Sequence, residues 1–187
     1  MQMQNSATII LPDVLPSSEK EDYMHGCCHI FALALAELTN LKIAAFLEKR
    51  AVFINEDGTK SSIPLYYYNR ETAARQYDEI GEGLVHAVCL VDTTSDLIFD
   101  ALGIRNVSQL DQLYEIREDT YLKIYDDPNE ILKFGHTFGV RDKDVEDYVK
   151  LTKDYINTYL SDELKELKGT YGHKRKYRVD HQQTVHS

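Results

Sequence analysis

The sequence predicts an α+β domain in which a buried helix carrying a cysteine at its N-terminus packs on an antiparallel sheet, followed by a long C-terminal helix. Three observations predict it. From Ile30 to Leu38 only Glu37 is polar, and the run is rich in Ala and Leu, which favours helix. A helix apolar on every side must be buried. Two pairs of apolar runs are separated by turn residues, Asn55-Glu56-Asp57-Gly58-Thr59 and Asp92-Thr93-Thr94-Ser95, as in antiparallel hairpins. Finally, Val145, Tyr148, Val149, Thr152, Tyr155, Ile156, Tyr159, Leu160, Leu164 and Leu167 recur at helical spacing.

Taken in order, Thr8 to Leu11 reads as a short strand before Pro12, and Pro16 to Asp22 as a loop or capped turn. The buried helix follows, with Asn40 placed as its left-handed C-terminal residue. Leu41 to Leu47 and Ala51 to Ile54 read as two strands, and Ile63 to Tyr68 as another, Pro64 marking a sheet edge. The three tyrosines Tyr66 to Tyr68 suit a strand. Asn69 to Gly83 reads as a loop that borders a site. It holds a short helix, Glu71 to Tyr77, and Gly81 and Gly83 mark its exit. Leu84 to Val91 and Asp96 to Ala101 form the second hairpin. Ser108 to Tyr114 is a helix with Ser108 and Asp111 as a capping pair. Glu115 to Tyr125 is extended, and Asn129 to Phe134 is a short helix. The last helix runs from Asp142 or Lys143 to Lys168 and stops at Gly169. One domain over residues 1–171 is expected, with residues 172–187 as a flexible basic tail.

The totals narrow the function. With 187 residues and 43% hydrophobic content the chain builds a real core. A formal net charge of -10 argues against binding a nucleic-acid backbone. No apolar run reaches the roughly 18 residues that span a membrane. Met1 to Leu15 lacks the charge and apolar core of a signal peptide. Three cysteines, two of them adjacent, point to a reducing compartment, the cytoplasm, and not to a disulfide framework.

The chemistry starts at Cys27-Cys28. A cysteine at a helix N-terminus meets free N–H groups and the positive end of the dipole, which stabilise a thiolate. In a symmetric second hairpin, with its turn centred between Thr93 and Thr94, His86 sits opposite Asp100 or one step from it. An Asp carboxylate there holds an imidazole N–H and sets its tautomer. Cys89 has the opposite parity to His86 and points away from it. A cysteine, a histidine and an orienting carboxylate make a nucleophile, base and orienter. Neighbours in a helix point about 100° apart, so only one of Cys27 and Cys28 faces the histidine. His25, Cys27, Cys28 and His29 fit no ordinary zinc spacing, so neither a metal nor any other cofactor is expected.

The set Gly26-x-Cys28-His29-x-Phe31-Ala32-x-Ala34-Leu35, then His86-Ala87-Val88, then Phe99-Asp100-Ala101-x-Gly103, resembles the papain-like cysteine peptidase fold in its minimal bacterial and phage versions. The likeness covers roughly residues 20 to 105. It implies a papain-like core with Cys28 as nucleophile, His86 as general base and Asp100 as orienter. Papain-like enzymes usually carry an amide side chain shortly before the cysteine to donate to the oxyanion. Here no Gln or Asn lies between Asn5 and Cys28. The Cys28 N–H, helped by Tyr23 or His25, would take that role, with Cys27 and His29 also placed to line the site. The resulting expectation is an amide hydrolase acting through a thioester on a protein or a small amide (a peptidase, deamidase or amidase). The other reading is a non-catalytic papain-like module that sequesters a protein partner.

Overall fold

The structure is a computed structural model. It describes residue 23 and residues 26–71, 76–92, 96–112, 117, 119–138 and 144–171. The expected short strand Thr8 to Leu11, the loop or capped turn Pro16 to Asp22 and the basic tail lie outside these residues.

Helix α1 (Cys28–Thr39) is the expected buried helix: every residue from Cys28 to Ala36 is buried. Asn40 closes it at φ 57°, its N–H donating to the Ala36 carbonyl at 2.7 Å. Because α1 has no polar face, it needs cover on two sides. One is the sheet, principally strand β3 (Glu79–Leu90); the other is helix α3 (Val145–Tyr159). The remaining strands are β1 (Lys42–Ile54), β2 (Lys60–Pro64), β4 (Leu97–Asp100), β5 (Gly103–Asn106) and β6 (Tyr121–Tyr125). They form one antiparallel sheet in the order β2-β1-β3-β4-β5, with β6 on β1 beside β2.

Several elements differ from the sequence expectation for identifiable reasons. Strand β1 is one strand of 13 residues, not two. Its polar segment Glu48 to Arg50 continues the ladder opposite Gly83, Glu82 and Gly81. Gly81 and Gly83 therefore sit inside β3 instead of ending a loop. A Cβ on Gly83 would collide with the Arg50 side chain, and one on Gly81 would lie 2.9 Å from Val52 Cγ2. Tyr66 to Tyr68 belong to helix α2 (Leu65–Glu71), not to a strand. Pro64 ends β2 on the sheet edge, and Tyr68 packs on Phe53 and Tyr77 at centroid distances of 6.1 and 5.1 Å, so tertiary contact overrides β propensity.

The segment Val107–Gln112 is a 3-10 helix in which Asn106 Oδ1 accepts the Ser108 N–H at 3.0 Å; the Asp111 side chain of the expected capping pair lies outside the description. A second 3-10 segment, Pro128–Phe138, covers the expected short helix. The extended stretch narrows to β6. The C-terminal helix breaks at Leu160 (φ -118°), a fully buried residue. Helix α4 (Ser161–Glu166) restarts with Asp162 and Glu163 in its first turn, favourable against the dipole. The break turns Leu164 and Leu167 into the core, and the chain runs through Gly169 in a final π-helical turn, Leu167–Tyr171.

A two-residue turn, Ala101-Leu102, joins β4 to β5 and leaves Gly103 at φ +91°. A side chain there is strained. Gly103→Ala should lower stability by about 1–2 kcal/mol, read as a shift of the urea midpoint with unchanged slope.

Candidate functional site

The site is assembled where β3, β4 and β5 run side by side. Cys89 pairs with Phe99 and Leu90 with Ile98. Continued by one residue, this register sets Asp100 level with Val88, so the symmetric hairpin expectation is off by a step or two. His86 and Val88 share a face, as do Ile98 and Asp100, so Asp100 is a diagonal neighbour of His86 on the same face. The β1–β3 register shifts between Phe46 and Leu47, where β3 carries the extra residue Val85 between Leu84 and His86, directly beside the histidine.

His86 Nε2 lies 3.1 Å from Asp100 Oδ2, and both side chains are buried. A carboxylate only accepts, so the Nε2–H donates to it and the lone pair falls on Nδ1. Asp100 has two further sets of donors. The Leu102 N–H donates to Oδ1 at 2.9 Å. Arg105 donates from Nε to Oδ1 at 3.2 Å and from its second terminal nitrogen to Oδ2. Burial alone would raise the Asp100 pKa. The hydrogen bonds from His86 and Arg105, with the Arg105 charge, outweigh it and hold the carboxyl below its ordinary value.

Cys28 begins α1 and is 3% exposed. It is tied to β3 at Ala87, the residue after His86. Burial pushes the Cys28 thiol up to about 12, against the opposing pull of the backbone N–H groups of Ala87, His29 and Cys28 itself. Desolvation therefore overrides the helix-terminus effect that the sequence suggested, and the resting sulfur is a thiol. Cys89 is buried with its thiol donating to the Ala32 carbonyl of α1 at 3.3 Å, so at this point of β3 Cys89, and by parity not His86, turns toward the helix.

The site-lining residues separate. Cys27 and Tyr23 border a groove of about 350 Å³ on the α3 side, walled by Ile30, Tyr148, Tyr155 and Tyr159. Tyr23 packs on Phe31 and Tyr155, and its hydroxyl shares a hydrogen bond of 3.1 Å with Thr152. His29 is buried and lines a cavity together with Glu37, Lys150 and Lys153, and His25 lies outside the described residues. Arg105 escaped the sequence reading. The available signal was the tight Ala101-Leu102 turn: once Asp100 pairs with Gly103 and Ile98 with Arg105, Asp100 and Arg105 share a face. Among the described residues, no group of three His, Cys, Asp or Glu side chains is placed to hold a metal ion. No helix there is long and apolar enough to cross a membrane.

No family model, no curated protein and no solved structure matches the chain.

Burial lowers the His29 pKa from 6.5 to about 4. In the unfolded chain the imidazole regains its ordinary value, so between pH 4 and 6.5 the unfolded state binds the extra proton. The stabilising contribution is complete above pH 6.5 and is lost as the pH falls toward 4, by roughly 3 kcal/mol. Denaturant titrations across this range should show that slope, and His29→Leu should flatten it.

Proposed function

We propose that this protein is a cysteine hydrolase of the papain-like kind that cleaves an amide bond of a protein or a small amide. The observation that carries the reading is the buried hydrogen bond from His86 Nε2–H to Asp100, which leaves the basic lone pair on Nδ1. Cys28, anchored at the neighbouring Ala87 backbone, is the nucleophile.

Because burial keeps the sulfur protonated at rest, proton removal accompanies attack and does not precede it. His86 Nδ1 accepts the thiol proton as Sγ attacks the substrate carbonyl. Asp100 holds the imidazolium that forms. His86 then protonates the leaving amine, the C–N bond breaks, and a thioester remains. Water, deprotonated by His86, attacks the thioester, releasing the acid and returning the proton to sulfur. The backbone N–H groups that act on the Cys28 sulfur would supply the oxyanion donors in this reading.

A second reading, a non-catalytic module of the same kind that sequesters a protein partner, is favoured by the burial of the Cys28 thiol. The two readings part on covalent chemistry. Incubation with small activated esters and amides, read by mass spectrometry of the intact chain and of its peptides, should find an acyl group on Cys28. Cys28→Ala should abolish it. His86→Ala should slow acylation by about 10²–10⁴-fold, and Asp100→Asn by a similar factor through a misoriented imidazole. Absence of any Cys28 adduct in the wild type, or equal rates in His86→Ala, would overturn the catalytic reading.

A further inference from the structure

Asp100 is a buried carboxylate held by an imidazole and a guanidinium on one sheet face, and that arrangement assigns a role to the second. We propose that Arg105 is a positioning residue: its two-point contact locks the Asp100 carboxylate toward His86 and takes up part of its negative charge, so that His86 stays neutral at rest. The proposal rests on the reading of His86 as the base.

The geometry supports it from three directions. First, the guanidinium engages both Asp100 oxygens, Nε reaching Oδ1 at 3.2 Å and a terminal nitrogen reaching Oδ2. With Leu102 N–H on Oδ1, the carboxylate has little rotational freedom, and the oxygen facing His86 is fixed. Second, Arg105 is itself buried, at 9% exposure, and carries a permanent charge. A buried guanidinium is retained only with an anionic partner, and Arg105 is ion-paired with Asp100. Third, the charge balance decides the state of the base. Asp100 alone beside His86 would favour an imidazolium, which has no lone pair to accept the thiol proton. With Arg105 present, Asp100 is already neutralised, and the added positive charge opposes protonation of the ring. Other buried titratable groups of α1 and β3 are Cys28, His29 and Cys89; burial disfavours the charged form of His29. Burial also keeps both cysteines as thiols, so they add no charge.

The test is an NMR titration of the His86 imidazole in the full chain, with the nitrogen shifts reporting the tautomer. The wild type should show the Nε2–H tautomer. Arg105→Gln removes the charge and retains an amide donor. It should raise the His86 pKa by about one unit or more. Arg105→Lys restores a charge without the fork and should return the pKa to within a few tenths of wild type. An Arg105→Gln chain that folds with an unchanged His86 titration and tautomer overturns the proposal. Should Arg105→Gln not fold, Arg105→Lys decides alone: a His86 pKa displaced by a full unit despite the retained charge overturns it, and a value near wild type supports it.

Acylation of Cys28 in the same variants keeps the two readings apart. A His86 titration that moves as expected, with no acylation even in the wild type, sinks the hydrolase and leaves the Arg105 role standing. Acylation whose pH profile is the same in wild type and Arg105→Gln sinks the Arg105 role and leaves the hydrolase.

Discussion

A helix with no polar face imposes the rest of this architecture. Cys28 to Ala36 are buried all round. Apolar side chains gain free energy only by leaving water, so such a helix is stable only between two covering layers. The sheet supplies one and α3 the other. The stripe Val149, Thr152, Tyr155 and Ile156 on α3 is what the second cover requires. The turn at Leu160, which brings Leu164 and Leu167 inward, extends the same cover.

Placing the first residue of a buried helix against a strand has an electrostatic consequence. The helix start offers N–H groups and a dipole that favour an anion, and the surrounding core disfavours one. At Cys28 both act on one sulfur, and desolvation is larger. The fold thus holds the Cys28 sulfur in the protonated form, beside backbone N–H groups that favour an anion.

The opposite balance holds at Asp100. It is equally buried, but it sits between an imidazole and a guanidinium, and specific partners outweigh the cost of removing it from water. The β3–β4–β5 alignment makes this possible, since diagonal neighbours on one face come within side-chain reach. A shift of one residue at either ladder would send His86 or Arg105 to the other face.

The sequence by itself determined the features that depend on chain-local chemistry. Spacing and composition placed α1, its Asn40 stop, the α3 stripe and the apolar second hairpin. Parity placed His86 and Asp100 on one face and Cys89 on the other. Tertiary structure decided what depends on distant neighbours. Glycines in β3 let the polar residues of β1 continue a strand, Phe53 and Tyr77 drew the tyrosine run into a helix, and buried Leu160 broke the last helix. Arg105 joined the site only through strand register. Most of all, packing set the charge state of Cys28, because desolvation depends on everything that surrounds a group, and local sequence contains only part of that.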